Sequence, residues 1–242
     1  MNETLDIILP CFNPINDWAE KVIEAVNVIQ KGLPNTAIHI ILVNDGSSTG
    51  VSENDIELLS QKLNSFQYIP SSPNMGKGFA LRRGVAAAKS NYQIYTDIDF
   101  PYQENSLLHL FSILQAGKSD IVVGVRDNAY YEGVPPTRKR ISRILRWMLR
   151  TFLRLKITDT QCGLKGFNSK GKLLFMQTTI NRFLFDLEFV FLASHEKSLL
   201  LTPADVSLKP GVIFSKVNWR ILLIEGFNFL KIFLRGIWKR FF

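Results

Sequence analysis

The strongest constraint on this chain is a regular alternation of strand-like and helix-like segments across its first 125 residues. Leu5–Leu9, Ile38–Val43, Phe66–Ile69, Gln93–Thr96 and Ile121–Val125 are short runs rich in apolar or β-branched residues. Between them, Trp18, Val22, Ala25, Val26 and Ile29 recur at helical spacing over Trp18–Gln30, with Asn16 or Asp17 as N-cap. Ile56–Leu63, Lys77–Lys89 and Ser106–Leu114 also read as helices. Such an order predicts an α/β fold: a mainly parallel sheet with helices on both faces. Ligands in these sheets bind beyond the carboxyl ends of the strands, so chemistry is sought immediately after each strand.

The second half is less regular. Arg138–Lys156 predicts a basic amphipathic helix with Ile141, Ile144, Leu145, Met148, Phe152 and Leu155 on its apolar stripe, 173–178 and 185–195 further helices, and 199–206 a strand. Residues 219–242 close the chain with another amphipathic pattern, Leu223, Phe227, Leu230, Leu234, Ile237 and Phe241 on one stripe and Asn228, Lys231, Arg235 and Lys239 on the other. Charge follows this division. The whole chain carries +8, yet 138–156 holds eight basic residues and no acidic one, and 215–242 holds six against Glu225 alone. Removing those fourteen cations and one anion from totals of 29 and 21 leaves 15 basic and 20 acidic residues. A mildly acidic body with two basic, greasy segments points to an anionic surface, lipid or nucleic acid. No aromatic RNA-binding motif accompanies the basic segments, which argues against nucleic acid. We read neither a signal peptide nor an uncharged apolar run long enough to span a bilayer. Two scattered cysteines, Cys11 and Cys162, form no disulfide framework and fit a reducing compartment. We therefore expect a catalytic domain over residues 1–216, with the basic helix inserted at 138–156, and a membrane-associating segment over 217–242.

The post-strand motifs carry the chemistry. Pro10-Cys11-Phe12-Asn13-Pro14 follows the first strand and Asn44-Asp45-Gly46-Ser47-Ser48 the second. Asp45, beside a turn that Gly46 permits, suits a base or ribose hydroxyl, or else an Asx turn. Asn74-Met75-Gly76-Lys77-Gly78 precedes a helix; its amides and Lys77 suit a diphosphate, although neither P-loop nor dinucleotide spacing is present. Asp97 and Asp99, at i and i+2 as a strand ends, suit a hard divalent cation. Cys162 lacks a neighbouring His and reads as structural, as do His39 and His109.

The order Pro-x-x-Asn, Asp-Gly-Ser-Ser, Asn-x-Gly-Lys-Gly, Asp-x-Asp resembles the GT-A (Rossmann-like) fold of family 2 glycosyltransferases. Gly124-Val125-Arg126, Arg138-Lys139-Arg140-Ile141-Ser142-Arg143 and Asp159-Thr160-Gln161-Cys162-Gly163-Leu164-Lys165-Gly166-Phe167 look like polyprenyl-phosphate sugar synthases. The resemblance covers about residues 5–216. It implies a nucleotide-sugar site of Pro10, Asn13, Asp45, Gly46, Gly76, Lys77, Asp97 and Asp99, with Mg²⁺ or Mn²⁺ on Asp97 and Asp99. It implies an acceptor-phosphate cradle of Arg126, Arg138 and Ser142, to which we add Arg143, with Lys209 and Lys216 standing near an acceptor-side loop that is spaced differently. Gln161, Asp186 and Glu188 are candidates for the sugar's hydroxyls; for Asp186 and Glu188 a structural ion pair is the other reading. Relatives often place a metal-binding Gln where this chain has Pro101.

A phosphate monoester is already anionic near neutral pH. It needs a cationic cradle rather than a strong base, and arginine supplies a fork of donors. The expected reaction is therefore a single inverting displacement, with Asp99 and Arg126 central. Phe185-Asp186-Leu187-Glu188 looks closer to the glucosyl than to the mannosyl branch of these synthases, which implies UDP-glucose as donor, with GDP-mannose as the alternative donor and a saccharide as the alternative acceptor. The protein is expected to lie peripherally at the cytoplasmic face of a membrane. The sequence gives no signal for oligomeric state.

Overall fold

Alternation within the first two strands decides the layering. The computed structural model describes residues 3–15, 17–126, 136–210 and 225–234. In β1 (Glu3–Cys11), Leu5, Ile7 and Leu9 enter one core cluster and Ile8 the other. In β2 (Thr36–Asp45), Ile38, Ile40 and Leu42 enter the first, Ile41 and Val43 the second. A strand apolar on both faces must be covered on both, and helices do this. Helices α1 (Trp18–Gly32), α2 (Glu53–Lys62) and α4 (Glu104–Gln115) pack on the first side through Val22, Ile29, Leu59, Leu110 and Phe111. Helix α3 (Lys77–Ala87) covers the second through Ala80, Leu81 and Val85. Later in the chain, α7 (Phe185–His195) is buried nearly all round on that second side.

The sheet has seven strands in the order β3-β2-β1-β4-β6-β5-β7. These are completed by β3 (Phe66–Ser71), β4 (Tyr92–Tyr95), β5 (Ile121–Arg126), β6 (Lys165–Asn168) and β7 (Leu201–Val206). All pairings are parallel except those of β6, which is antiparallel to both β4 and β5. The sequence reading places no strand at 165–168. Those four residues include a lysine and a glycine and show no alternation; pairing on both sides makes them a strand. Because β6 is reversed, its beginning lies at the sheet edge where β1, β2, β4, β5 and β7 end. That reversal delivers the Asp159–Gly163 turn to the same edge as the other motifs.

Capping moves two helices from their expected positions. Helix α2 starts at Glu53 rather than Ile56 because Ser52 and Asp55 form a reciprocal capping box. Helix α6 spans Ser169–Phe175 rather than 173–178 because the Asn168 side chain accepts from the Lys170 and Gly171 amides.

The two basic segments each form a helix. In α5 (Pro136–Phe152), the expected apolar stripe divides: Leu145 and Met148 are partly covered, whereas Ile144 and Phe152 are exposed beside Trp147. Leu149 and Leu153 face the core instead, and Leu155 bonds back to the Leu149 carbonyl as the chain turns through Arg154 at φ 52°. In α8 (225–234), Phe227, Leu230 and Leu234 of the expected stripe are exposed. Ile232 is buried, and Phe229 and Phe233 pack on the second core. The Phe152 and Phe233 rings meet at 5.9 Å, joining the two helices. Leu223, Arg235, Ile237, Lys239 and Phe241 of the expected pattern lie outside the described residues. No described helix is long and apolar enough to cross a membrane.

Candidate active site

The site begins with two loops stitched together at the ends of β1 and β2. Asn13, at φ 44°, accepts from the Ser48 and Thr49 amides at 2.9 and 3.2 Å, and its own amide donates to Ser47 Oγ at 2.9 Å. The Asx-type turn here belongs to Asn44, whose Oδ1 accepts from the Ser47 amide. Asp45 reaches across instead. Its carboxylate accepts from the Met75 and Gly76 amides at 3.0 and 2.7 Å and from Asn74 Nδ2 at 2.9 Å. Gly46, at φ 74°, lets the two loops touch, since an added Cβ there would stand 2.7 Å from the Asn74 nitrogen. Pro10 is half-buried and next to last in β1, just before this loop.

This arrangement revises one expectation. Four of the amides around the start of α3 are already taken by the protein. Met75 and Gly76 donate to Asp45, and Gly78 and Phe79 both donate to the Asn181 carbonyl, at 2.7 and 3.2 Å. What the loop presents is the Lys77 ammonium, which pairs with Asp97 Oδ1.

Beyond β4, Asp97 and Asp99 stand at the strand end on either side of Ile98. Burial pushes the Asp99 carboxyl above its ordinary value, and the negative charge of Asp97 adds to this, although Asp99 remains exposed at its surface. Burial alone would lower the Lys77 ammonium, but Asp97, with Asp186 and Asp99 behind it, outweighs that and lifts it. A carboxyl raised in part by a neighbouring carboxylate's charge fits a hard divalent cation, which would relieve the repulsion. Among the described residues no cluster of three or more His, Cys, Asp or Glu side chains could hold such an ion. The donor set therefore fits magnesium or manganese only in the mode in which one or two carboxylates share the ion with ligand oxygens and water.

Under these residues lies a buried polar group in which Asp186, a candidate for the sugar or for a structural ion pair, meets Lys165 and Tyr95, to which the sequence assigned no role. Lys165, fully buried at the start of β6, pairs with Asp186 and donates to the Cys162 carbonyl at 2.6 Å. Tyr95 donates to Asp186 Oδ1 at 2.6 Å. The Gly163 amide donates to Tyr102 Oη at 3.0 Å. Gly163 leaves no room for a side chain: a Cβ would lie 2.5 Å from Asp97 Oδ2. The four residues of β6 carry no local pattern that signals this pair. Burial raises the thiols of Cys162 and Cys11, the latter to about 12, in keeping with structural roles.

The acceptor-side candidates form a second group. The Arg126 amide and guanidinium all engage Asp159, with the Nε at 2.9 Å from Oδ2. Lys209 pairs with Glu104 at 2.5 Å, and its amide donates to the Pro101 carbonyl at 2.8 Å, which brings its charge to bear on Asp99. Ser142 is half-buried and Arg143 exposed on α5. The Arg138 side chain and Lys216 lie outside the described residues. Of the sugar candidates, Asp186 and Glu188 are both buried and engaged by protein groups. Asp186 takes the structural pairing just described. Glu188 accepts from the Thr179 and Ile180 amides, each at 2.8 Å, and from the Thr179 hydroxyl. Gln161 differs, with its Nε2 buried and lacking a hydrogen-bond partner among the described residues.

Several known proteins are similar to this chain. The chain is 26% identical over 174 residues to the glycosyltransferase AglD of Haloferax volcanii, covering 69% of this chain and 27% of that protein. It is 25% identical over 204 residues to the dolichyl-phosphate beta-glucosyltransferase of Dictyostelium discoideum, covering 79% and 62%. The chain thus spans less than two thirds of the length of these relatives. The fold matches glucosyl-3-phosphoglycerate synthase from Mycobacterium tuberculosis, solved with Mn²⁺, uridine diphosphate and phosphoglyceric acid. That match has a TM-score of 0.66 at 15% identity and covers 97% of this chain and 78% of the other. The model of Glycosyl transferase family 2 matches residues 6–174, and with a GT-A-like sheet and its strand-end motifs in place, the chain belongs to that family.

Proposed function

We propose that this protein transfers a hexose from a nucleoside diphosphate to the phosphate of a polyprenyl lipid, with inversion, while lying on a membrane surface. The observation that carries the reading is the placement of two charged groups at one sheet edge. Lys77 opens α3 and Asp97 and Asp99 follow β4, while Arg126 ends β5 and meets Asp159 from the turn before β6. The first suits a donor diphosphate, the second an anionic acceptor.

In this reading the acceptor phosphate oxygen attacks the anomeric carbon as the carbon–oxygen bond to the diphosphate breaks. No strong base is required, because the nucleophile is already an anion. Arg126 offsets repulsion between the two phosphates and holds the acceptor in line. Asp97 and Asp99 would hold a magnesium or manganese ion, which stabilises charge on the departing diphosphate. Lys77 neutralises the same charge. Asp45 and Asn13 fix the loops on which a nucleotide rests, and Gln161 offers its unpartnered amide to a hydroxyl or phosphate oxygen. The names of the relatives favour glucose, and hence UDP-glucose, as the donor.

The membrane part of the proposal rests on the joined outer faces of α5 and α8. Ile144, Trp147, Phe152, Phe227, Leu230 and Leu234 are exposed there, beside exposed Arg143, Arg150 and Lys231. A bulky apolar face beside a basic one suits the headgroup layer, where a polyprenyl tail stays in lipid while its phosphate reaches the site. We propose the same division as the charge pattern: a catalytic body over 1–216 and a peripheral anchor over 217–242, at the cytoplasmic face.

The test is incubation of purified protein with labelled nucleotide sugars, polyprenyl phosphate and a divalent cation, followed by lipid extraction. Label from UDP-glucose is expected in an organic-soluble, acid-labile product. Transfer only to a water-soluble acceptor would overturn the acceptor assignment.

A further inference from the structure

The start of α3 combines two features. Four of its amides, those of Met75, Gly76, Gly78 and Phe79, are consumed within the protein, by Asp45 and the Asn181 carbonyl. Its one remaining cationic group, the Lys77 ammonium, is held on Asp97, one of the two carboxylates suited to a divalent ion. The pair is closely walled. Gly163 abuts Asp97 so tightly that an added Cβ would meet Oδ2 at 2.5 Å and Lys77 Nζ at 3.7 Å. Asp186 and Asp99 also act on the ammonium. Lys77 therefore serves as counter-ion to the whole acidic group, not to a single partner.

A divalent ion arriving at Asp97 and Asp99 meets this ammonium at close range, and like charges in a partly desolvated site repel strongly. The side chain must give up Asp97, and it needs another anion, because the acidic group can no longer hold both cations. A diphosphate delivered with the ion supplies that anion. We propose that Lys77 is a resident counter-ion that blocks the Asp97/Asp99 site to metal alone, and that it exchanges Asp97 for a phosphate oxygen when metal and nucleoside diphosphate enter together. The inference rests on the reading that this site takes a nucleoside diphosphate. It makes metal and nucleotide binding cooperative and keeps the site from filling with free metal. Lys77 acts here as a gate on binding, separately from any role in the chemical step.

The test is titration of Mn²⁺ into the purified chain, followed by the paramagnetic resonance signal of the free ion, with and without UDP. Wild-type protein is expected to bind Mn²⁺ alone weakly and to bind it at least about tenfold more tightly with UDP. Lys77→Met is expected to bind Mn²⁺ alone about tenfold more tightly than wild type and to lose most of the strengthening by UDP. Lys77→Arg, which keeps the charge, is expected to follow wild type. Lys77→Gln repeats the neutral case should the Met variant fold poorly by circular dichroism. Neutral variants that bind Mn²⁺ alone no more tightly than wild type overturn the gate. Wild-type protein that binds Mn²⁺ no better with UDP overturns the nucleotide reading and the exchange step, and the metal-alone comparison then judges the counter-ion role by itself.

Discussion

Asp186→Asn separates the two roles that an acidic residue in an apolar helix can have. Asp186 is 4% exposed and is reached by Lys165 and by the Tyr95 hydroxyl at 2.6 Å. The substitution keeps the shape and removes the charge, which strands the Lys165 ammonium at 0% exposure with the Cys162 carbonyl as its main remaining partner. Breaking a buried ion pair from one side costs about 3–5 kcal/mol, against total stabilities of about 5–15 kcal/mol for a domain. Lys165→Met costs a similar amount by stranding Asp186. The double variant Lys165→Met/Asp186→Leu removes both charges and leaves the Tyr95 hydroxyl and the Cys162 carbonyl without partners, about 1–3 kcal/mol each. It should therefore lose several kcal/mol less than the two single variants together. Tyr95→Phe, a control that removes one hydrogen bond, should cost about 1 kcal/mol. Urea unfolding followed by tryptophan fluorescence measures all four. The structural role is refuted if Asp186→Asn loses less than about 1 kcal/mol while transfer falls a hundredfold; Asp186 would then contact the sugar, as its sequence context suggests.

Asp99→Asn is expected to abolish cation-dependent transfer without weakening the fold. Because the folded protein raises this carboxyl, it binds the proton more readily than the unfolded chain, so stability is lost as pH rises from the ordinary carboxylate value through the raised one. The variant should melt no lower than wild type at pH 7, with any gain fading as pH falls toward 4, whereas Asp97→Asn, which unpairs Lys77, should melt lower; the reverse order in thermal scans would contradict both assignments. Truncation after residue 216 should reduce flotation with anionic liposomes at low salt, since each basic residue near such a surface contributes about 1 kcal/mol. Equal flotation of the truncated and full-length chains would remove the anchor.

The layout of the fold was legible where burial is two-sided. Ile40–Val43 and Ile121–Val125 are apolar throughout because both faces of these strands are covered, and such runs announce themselves without context. Strand β6 was not legible, because what makes 165–168 a strand is its position between β4 and β5. Nothing in Lys165-Gly166-Phe167-Asn168 carries that information locally. The same contrast runs through the site. Asp97, Asp99 and Lys77 could be named because each follows a readable strand or precedes a readable helix. Their partners could not, because partnership is tertiary. Asp159 meets Arg126 from 33 residues away, and the Asn181 carbonyl meets the Gly78 amide across the second core. Side-chain patterns alone therefore left two readings open for several carboxylates, ligand or structure. Asp45, Asp186 and Glu188 were each candidates for a nucleotide or sugar, and each is engaged by the protein's own donors. Carboxylates at the end of a sheet do two kinds of work, holding loops and holding ligands. Only the backbone amides around them, invisible in side-chain patterns, decide which.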